Sequence, residues 1–242
     1  MKTRFHRLSF AALAAGSVLV SLQSIAPTAR AAEVIHLRSG WINGASGSVG
    51  QLEDDIFFDP TNVIQGPFNT TFGPSDFSGA SGGSLATVVS PHPAWIQGLS
   101  ADPDARWVNW AGGGAPGTVL YAMPFTVATT TITSATLTLH WAADDTLGGL
   151  EYNDPANTIG AYINGHATTI AGGYYGVESS ATFNIPVSML NAGGVNELYL
   201  YQRDGGQAVS GIIFSAEFNI IPSPGPLAIL ALAGAAAIRR RR

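Results

Sequence analysis

Apolar residues recur at every second position along several short runs of this chain, and this period restricts the fold more than any other feature. It is clearest in residues 137–141 and 212–218. Side chains of a strand point alternately to the two faces of a sheet, so the period predicts strands with one buried face. Clusters of Gly, Pro, Asn and Asp separate the runs, and no long helical period occurs. The sequence therefore predicts an all-β sandwich or barrel.

The predicted strands are spread over the whole body of the chain. They cover residues 33–41, 85–89, 118–127, 131–141, 159–163, 167–170, 181–186, 197–202 and 211–220. The strongest hairpin signal is Asn164-Gly165, which lies between two of them, because both residues tolerate the positive φ of a tight turn. Residues 65–84 are rich in Gly, Ser, Thr and Pro, and we predict a long irregular connection there.

The N-terminus has the three parts of a secretory signal. Lys2, Arg4 and Arg7 are positively charged, residues 8–22 are apolar and small, and residues 29–31 read Ala-Arg-Ala. That order is typical of a signal peptide with an Ala-x-Ala cleavage site. We therefore predict that residues 1–31 are removed by signal peptidase during export.

The C-terminus, residues 220–242, is a second distinct segment. In order it contains Pro222, Ser223 and Pro224, an apolar run over 227–238, and Arg239, Arg240, Arg241 and Arg242. At ~1.5 Å per residue the apolar run would be roughly 18 Å long as a helix, against a hydrocarbon core of ~30 Å. The arginines should stay on the cytoplasmic side. We predict a single short transmembrane helix that inserts transiently.

Together, the two ends resemble those of the PEP-CTERM class of bacterial surface proteins. In this chain Pro222-Ser223-Pro224 stands where the class carries Pro-Glu-Pro. The resemblance implies processing by an exosortase, a membrane transpeptidase-like enzyme. It also implies a place at the cell surface, in the outer membrane or the extracellular matrix, after anchoring in the inner membrane. Exosortase systems accompany exopolysaccharide production, so the resemblance further implies association with polysaccharide.

Charge is distributed very unevenly along the chain. All 16 acidic residues lie between Glu33 and Glu217, whereas only Arg38, Arg106 and Arg203 are basic within that body, which gives it a net charge of −13. Nucleic-acid binding requires clustered cations that displace counterions, so this class of function is excluded. The chain has no cysteine, so no disulfide supports the fold.

The order of motifs in the second half resembles the galactose-binding-like β-sandwich, a jelly roll. A Leu-x-Leu-x-Trp strand ends in Asp144-Asp145, and residues 162–165 (Tyr-Ile-Asn-Gly) and 210–214 (Ser-Gly-Ile-Ile-Phe) follow. The resemblance covers about residues 95–219 and implies one sandwich domain over 32–219. Modules of this superfamily accompany many glycoside hydrolases and often hold a structural calcium ion. Ca²⁺ near Asp144 and Asp145 is therefore an expectation.

Aromatic residues with polar neighbours are the candidates for sugar binding. Aromatic rings stack on the apolar faces of sugars, while amides and carboxylates bind the hydroxyl groups. The candidates in predicted loops are Tyr152, Asn153, Asp154, Tyr174, Tyr175 and Arg203. For the tryptophans, packing in the core is the simpler interpretation.

Other motifs point to chemistry less directly. Residues 53–55 (Glu-Asp-Asp) form a second acidic cluster, which is either a calcium site or solvated surface. Residues 79–83 match Gly-x-Ser-x-Gly, but no strand-to-helix turn is predicted around them, so a nucleophile elbow is not expected. The histidines have no metal-ligand spacing, which argues against a local zinc site.

Three functions are compatible with these observations. The first is an exported, non-enzymatic surface protein that associates with exopolysaccharide. The second is a discrete carbohydrate-binding module. The third is a secreted glycoside hydrolase or esterase, for which the sequence indicates no catalytic residue.

Overall fold

Antiparallel β-strands form nearly all of the regular structure. A computed structural model describes residues 31–64, 71–148, 157–206 and 208–224. The strands in these ranges are β1 (Glu33–Arg38), β2 (Trp41–Ile42), β3 (Ala45–Ser46), β4 (Leu52–Phe58), β5 (Ser84–Val88), β6 (Val108–Asn109), β7 (Val119–Thr126), β8 (Ile132–Asp144), β9 (Thr146–Leu147), β10 (Ala161–Ile163), β11 (His166–Ala167), β12 (Ser179–Ile185), β13 (Val195–Arg203) and β14 (Gly211–Pro222). One α-helix, α1 (Pro74–Ser81), and two 3₁₀ turns, Pro60–Asn62 and Val187–Met189, complete the described elements.

Twelve of the described strands are hydrogen-bonded into one continuous sheet, which forms two packed layers. Its order is β11-β10-β13-β7-β4-β5-β6-β14-β8-β12, while β1 adds to β14 and β9 adds to β13. The strands β2 and β3 form a separate hairpin. Every strand pair is antiparallel, and the all-β prediction is confirmed.

The core lies between a layer built on β8 and β14 and a layer built on β7 and β13. Leu137 and Phe218 from the first layer belong to the same buried cluster as Met123 and Leu198 from the second. The rings of Phe125 and Phe218 stack across this core with their centroids 4.2 Å apart. The two-residue period explains the arrangement, because it places one apolar face of each layer toward the other.

The outer face of each layer is covered by a different segment. Over β7 and β13, α1 contributes Phe77 and Ala80 to a buried cluster. Over β8 and β14, residues 89–107 contribute Trp95 and Trp107, whose rings stack with centroids 4.2 Å apart. Both tryptophans are buried, as the core interpretation predicts.

The prediction of an irregular connection over 65–84 is wrong for the part that the structure describes. Pro74 begins α1, and the Asp76 carboxylate accepts a hydrogen bond from the Gly73 N–H at 2.7 Å. Proline suits the first turn of a helix, and the Asp76 carboxylate engages a backbone donor just before it. Burial of Phe77 and Ala80 then outweighs the low helix propensity of the Gly and Ser residues. Residues 65–70 lie outside the described ranges.

The last strand extends beyond residue 219, where we predicted the domain to end. Pro222 lies opposite Ile132 after a register shift in the pairing of β14 with β8. The Ser223 N–H donates to the Thr131 carbonyl at 2.9 Å. Proline is tolerated at such an irregular strand end because no ladder hydrogen bond is needed from it.

The predictions for the two ends of the chain lie mostly outside the described residues. These are the signal peptide, the apolar run over 227–238 and the cluster of Arg239, Arg240, Arg241 and Arg242. Within the described ranges, no helix has the length and hydropathy to span a bilayer.

Candidate functional site

Three buried aspartates lie near one another where β8 and β13 end. Asp144 is the last residue of β8, Asp145 follows it through a cis peptide bond, and Asp204 follows the last residue of β13. All three are buried. The Asp145 N–H donates to the carbonyl of Arg203 at 2.6 Å, which holds the two strand ends side by side. The long-range strand pairing thus creates an acidic cluster that the linear sequence shows only in part.

Nitrogen donors orient each of these carboxylates. Trp95 Nε1 donates to Asp144 Oδ2 at 2.7 Å. The Asp145 Oδ2 atom accepts the backbone N–H groups of residues 205 and 206 at 2.8 and 3.0 Å. The Gly117 N–H donates to Asp204 Oδ2 at 2.7 Å. Each carboxylate is therefore oriented by at least one nitrogen donor from another segment of the chain.

The charged form of Asp144 is unfavourable at this cluster. Burial raises the pKa of Asp144, and the contact with Asp145 and the charge of Asp204 act in the same direction. The amide of Gln202 donates to the Asp144 carbonyl, while its buried Oε1 has no hydrogen-bond partner. Carboxylate and amide oxygens are the ligands that Ca²⁺ prefers. Asp144, Asp145 and Gln202 thus carry oxygen atoms of the type that the expected calcium ion needs, but among the described residues only residues 53–55 bring three carboxylate oxygens within 4.8 Å of one another.

The two adjacent tyrosines lie at the same end of the sandwich. Tyr174 is 42% exposed, and its ring centroid is 3.9 Å from that of Tyr175. The partly buried Tyr175 packs against the cluster that contains Trp95. Its hydrogen bond with Tyr174 and its burial raise the pKa of Tyr175 to about 12, and the charges of Asp144 and Asp145 contribute to the rise. An exposed aromatic face therefore accompanies the buried carboxylates.

The other predicted sugar-binding residues are placed differently. Arg203 is the last residue of β13 and only 2% exposed, so it is not displayed on a loop as predicted. Its burial follows from the pairing of β13 with β9, in which Arg203 lies opposite Thr146. Tyr152, Asn153 and Asp154 lie outside the described residues. Sequence reasoning did not place Asp204 or Gln202 beside Asp144, because only the pairing of strands far apart in sequence brings them there.

A second concave region lies beside α1. A cavity of about 760 Å³ is lined on one side by Phe72 and Phe77 and on the other by Glu197 and Tyr199. The Ser81 hydroxyl donates to Glu197 Oε2 at 2.5 Å and lies 2.9 Å from the Tyr199 hydroxyl. Ser81 and Glu197 are 116 residues apart in the sequence, so local patterns could not indicate this contact.

The Gly-x-Ser-x-Gly match does not form a nucleophile elbow. An elbow requires a strand before the serine and a helix after it. In this fold the order is reversed, because α1 ends at Ser81 and β5 follows. Among the described residues, no histidine nitrogen is hydrogen-bonded to the Ser81 hydroxyl. The serine instead connects α1 to β13.

Comparisons with known proteins add distant similarities of fold. No protein-family model and no curated protein matches the sequence. A family 35 carbohydrate binding module from Clostridium thermocellum is 14% identical, with a TM-score of 0.28, over 55% of this chain and 90% of that chain. A PA14 sugar-binding domain from an RTX adhesin is 11% identical, with a TM-score of 0.25, over 79% of this chain and 91% of that chain. These similarities are too low to assign a family, so we infer function from the residues of this chain.

Proposed function

We propose that the protein is an exported, non-enzymatic surface protein that binds polysaccharide. The binding site would lie at the end of the sandwich where Asp144, Asp145 and Asp204 are found. The observation that carries this proposal is the contact between the oriented, buried carboxylates of Asp144 and Asp145 at the end of the sandwich that also exposes a tyrosine ring. The expected jelly-roll, galactose-binding-like topology is part of the same proposal.

Asp144 and Asp145 would hold Ca²⁺, with the unpartnered Gln202 Oε1 and water as further oxygen ligands. Burial and the neighbouring carboxylates of Asp145 and Asp204 disfavour the charged form of Asp144, which a bound cation would favour again. When bound, the ion would supply open coordination positions for sugar hydroxyl groups. Trp95 and the backbone donors keep the carboxylates oriented in the absence of sugar.

The tyrosine pair would supply the apolar part of the site. The ring of Tyr174 is the more exposed of the two, and Tyr175 supports it from the side of the core. Stacking of a sugar on such a ring adds affinity without fixing the identity of the sugar. The carboxylates and the bound cation would set the orientation of the sugar hydroxyl groups.

We expect Asp145→Asn to weaken polysaccharide binding by about tenfold or more, because a charged ligand of the cation is lost. The asparagine oxygen can still accept the backbone donors, so the fold should be retained. The measurement is affinity gel electrophoresis of the full-length protein on a panel of bacterial polysaccharides, with CaCl₂ and with EDTA. Tyr174→Ala should also weaken binding, and EDTA should abolish it.

The matched control is Glu217→Gln, which changes a half-exposed carboxylate on β14 and should bind like the wild type. Absence of retention on every polysaccharide would contradict the proposal. So would retention that neither EDTA nor Asp145→Asn changes.

Export and sorting form a separate part of the proposal. Pro222 ends β14, so the tail with its Ser223 and Pro224 begins directly after the last strand. We propose that signal peptidase and an exosortase process the two ends, with transient insertion of the apolar run. Deletion of residues 227–242 should release the protein into the medium or stop its processing. Cell fractionation and intact mass measure this, and an unchanged location and mass would refute the sorting proposal.

A further inference from the structure

A second acidic cluster lies at the start of β4. A carboxylate oxygen from each of Glu53, Asp54 and Asp55 lies within 4.8 Å of the others. In a regular strand, successive side chains point to opposite faces and would separate such a trio. Here the pairing of β4 with β5 shifts register between Leu52 and Phe57. The irregular stretch between them therefore brings three consecutive carboxylates together.

Glu53 is the residue that distinguishes this cluster from a solvated acidic surface. Only 2% of the surface of Glu53 is exposed to solvent. The Oε1 atom accepts the Gly40 N–H at 2.5 Å, whereas Oε2 is buried and has no hydrogen-bond partner. A buried carboxylate oxygen without a donor is unfavourable, because it has lost water and gained nothing in exchange. The unpartnered Oε2 atom is therefore part of one of the three carboxylates of the cluster.

The two aspartates differ in their access to solvent. Asp54 is exposed, and its Oδ2 accepts the Asn43 N–H at 2.8 Å. Asp55 is partly buried and lines a small pocket together with Arg38 and Trp41. The cluster is thus buried at Glu53 and open to water at Asp54, so an ion could enter from solvent.

Arg38, which lines the small pocket beside Asp55, is already paired with other acids. Arg38 Nε lies 2.9 Å from Asp102 Oδ2, and its NH1 atom lies 3.7 Å from Asp104 Oδ2. Its guanidinium also stacks 4.4 Å over the ring of Trp41. Among the described residues, Arg38 therefore forms its ion pairs with Asp102 and Asp104 and not with Glu53, Asp54 or Asp55.

We propose that Glu53, Asp54 and Asp55 hold a hard divalent cation, Ca²⁺, that fastens the start of β4 to the turns around Gly40 and Asn43. Calcium accepts six to eight oxygen ligands, so carboxylates and water from the open side can complete its shell. The hydrogen bonds from Gly40 and Asn43 connect the ligands to the segment between β1 and β3. The ion would thus link elements that are separate in the sheet.

Electrostatics supports the same assignment. Burial raises the pKa of Glu53 to about 8, and the charges of Asp55 and Asp54 add to the rise. Burial and the charge of Asp54 raise the pKa of Asp55 to about 6. A bound cation favours the charged form of both groups and removes their mutual repulsion.

The test is calcium titration of the full-length protein by isothermal titration calorimetry after removal of metal with EGTA. Asp54→Asn is the preferred variant, because Asp54 is exposed and its replacement can still accept the Asn43 N–H. We expect this variant to bind one Ca²⁺ fewer per chain than the wild type, or to bind it about tenfold more weakly. Glu217→Gln should titrate like the wild type, and circular dichroism should show the same fold for all three proteins.

Equal stoichiometry and affinity in Asp54→Asn and the wild type would overturn the assignment, as would the absence of calcium binding by the wild type. The outcome is independent of the polysaccharide site, which the Asp145→Asn variant tests. If that site took no calcium, Asp145→Asn would titrate like the wild type, and Asp54→Asn would still lose one ion.

Discussion

Replacing Phe218 with alanine should lower the free energy of unfolding by about 3 to 5 kcal/mol. The side chain is fully buried, and its ring stacks on Phe125 from the opposite layer. Removing the ring loses its transfer free energy and leaves a cavity between two hydrogen-bonded layers that cannot close independently of the rest of the core. Urea unfolding monitored by tryptophan fluorescence measures the change.

The matched control is Ile221→Ala on the same strand. Ile221 is 41% exposed, so its truncation should change the free energy of unfolding by less than about 1 kcal/mol. Similar losses in the two variants would show that the two layers do not share the core described above. We expect Phe218→Ala to unfold at a lower midpoint urea concentration with an unchanged m value.

The second large effect is expected at Gly83, in the short link between α1 and β5. A Cβ atom at this position would lie 1.9 Å from the carbonyl oxygen of Phe58 and 2.5 Å from its carbonyl carbon. Backbone atoms cannot rotate away, so Gly83→Ala must move β5 relative to β4. We expect a loss of about 3 kcal/mol in the free energy of unfolding, the upper part of the usual range for overpacking.

Gly112→Ala is the control for this substitution. A Cβ atom there meets no other group within 4 Å, so only a small change is expected. Because α1 lines the cavity that contains Ser81 and Glu197, Gly83→Ala should also alter the environment of that cavity. Equal stability of Gly83→Ala and the wild type, from the same urea unfolding experiment, would contradict the close approach of the link to β4.

Local patterns predicted those parts of the structure that depend on period and turn chemistry. The alternation in β8 and β14 identified two long strands that each direct an apolar face to the core, and Asn164-Gly165 lies at the turn between β10 and β11 as predicted. These features depend on residues within one or two positions of one another. Their physical cause is the same in any sheet, so one sequence is sufficient to find them.

The helix α1 could not be predicted in this way. Its Gly and Ser residues have low helix propensity, and its stability comes from burying Phe77 and Ala80 against β7 and β13. The partners in that contact are supplied by strands that begin about 40 or more residues later in the chain. A composition typical of a loop therefore formed a helix because of a tertiary contact.

The features of the candidate sites also fall into two groups, those that the sequence determined and those that only the tertiary structure decided. The sequence alone determined the acidic, lysine-free body, the strand period and the positions of the Asp144-Asp145 and 53–55 clusters. Only the tertiary structure decided that Asp204 and Gln202 lie beside Asp144, that Arg203 is buried, and that Glu53 has a carboxylate oxygen without a partner. Charge and period are properties of neighbouring residues. Burial and the meeting of strand ends depend on pairings across the whole sheet, so no local pattern could place these side chains.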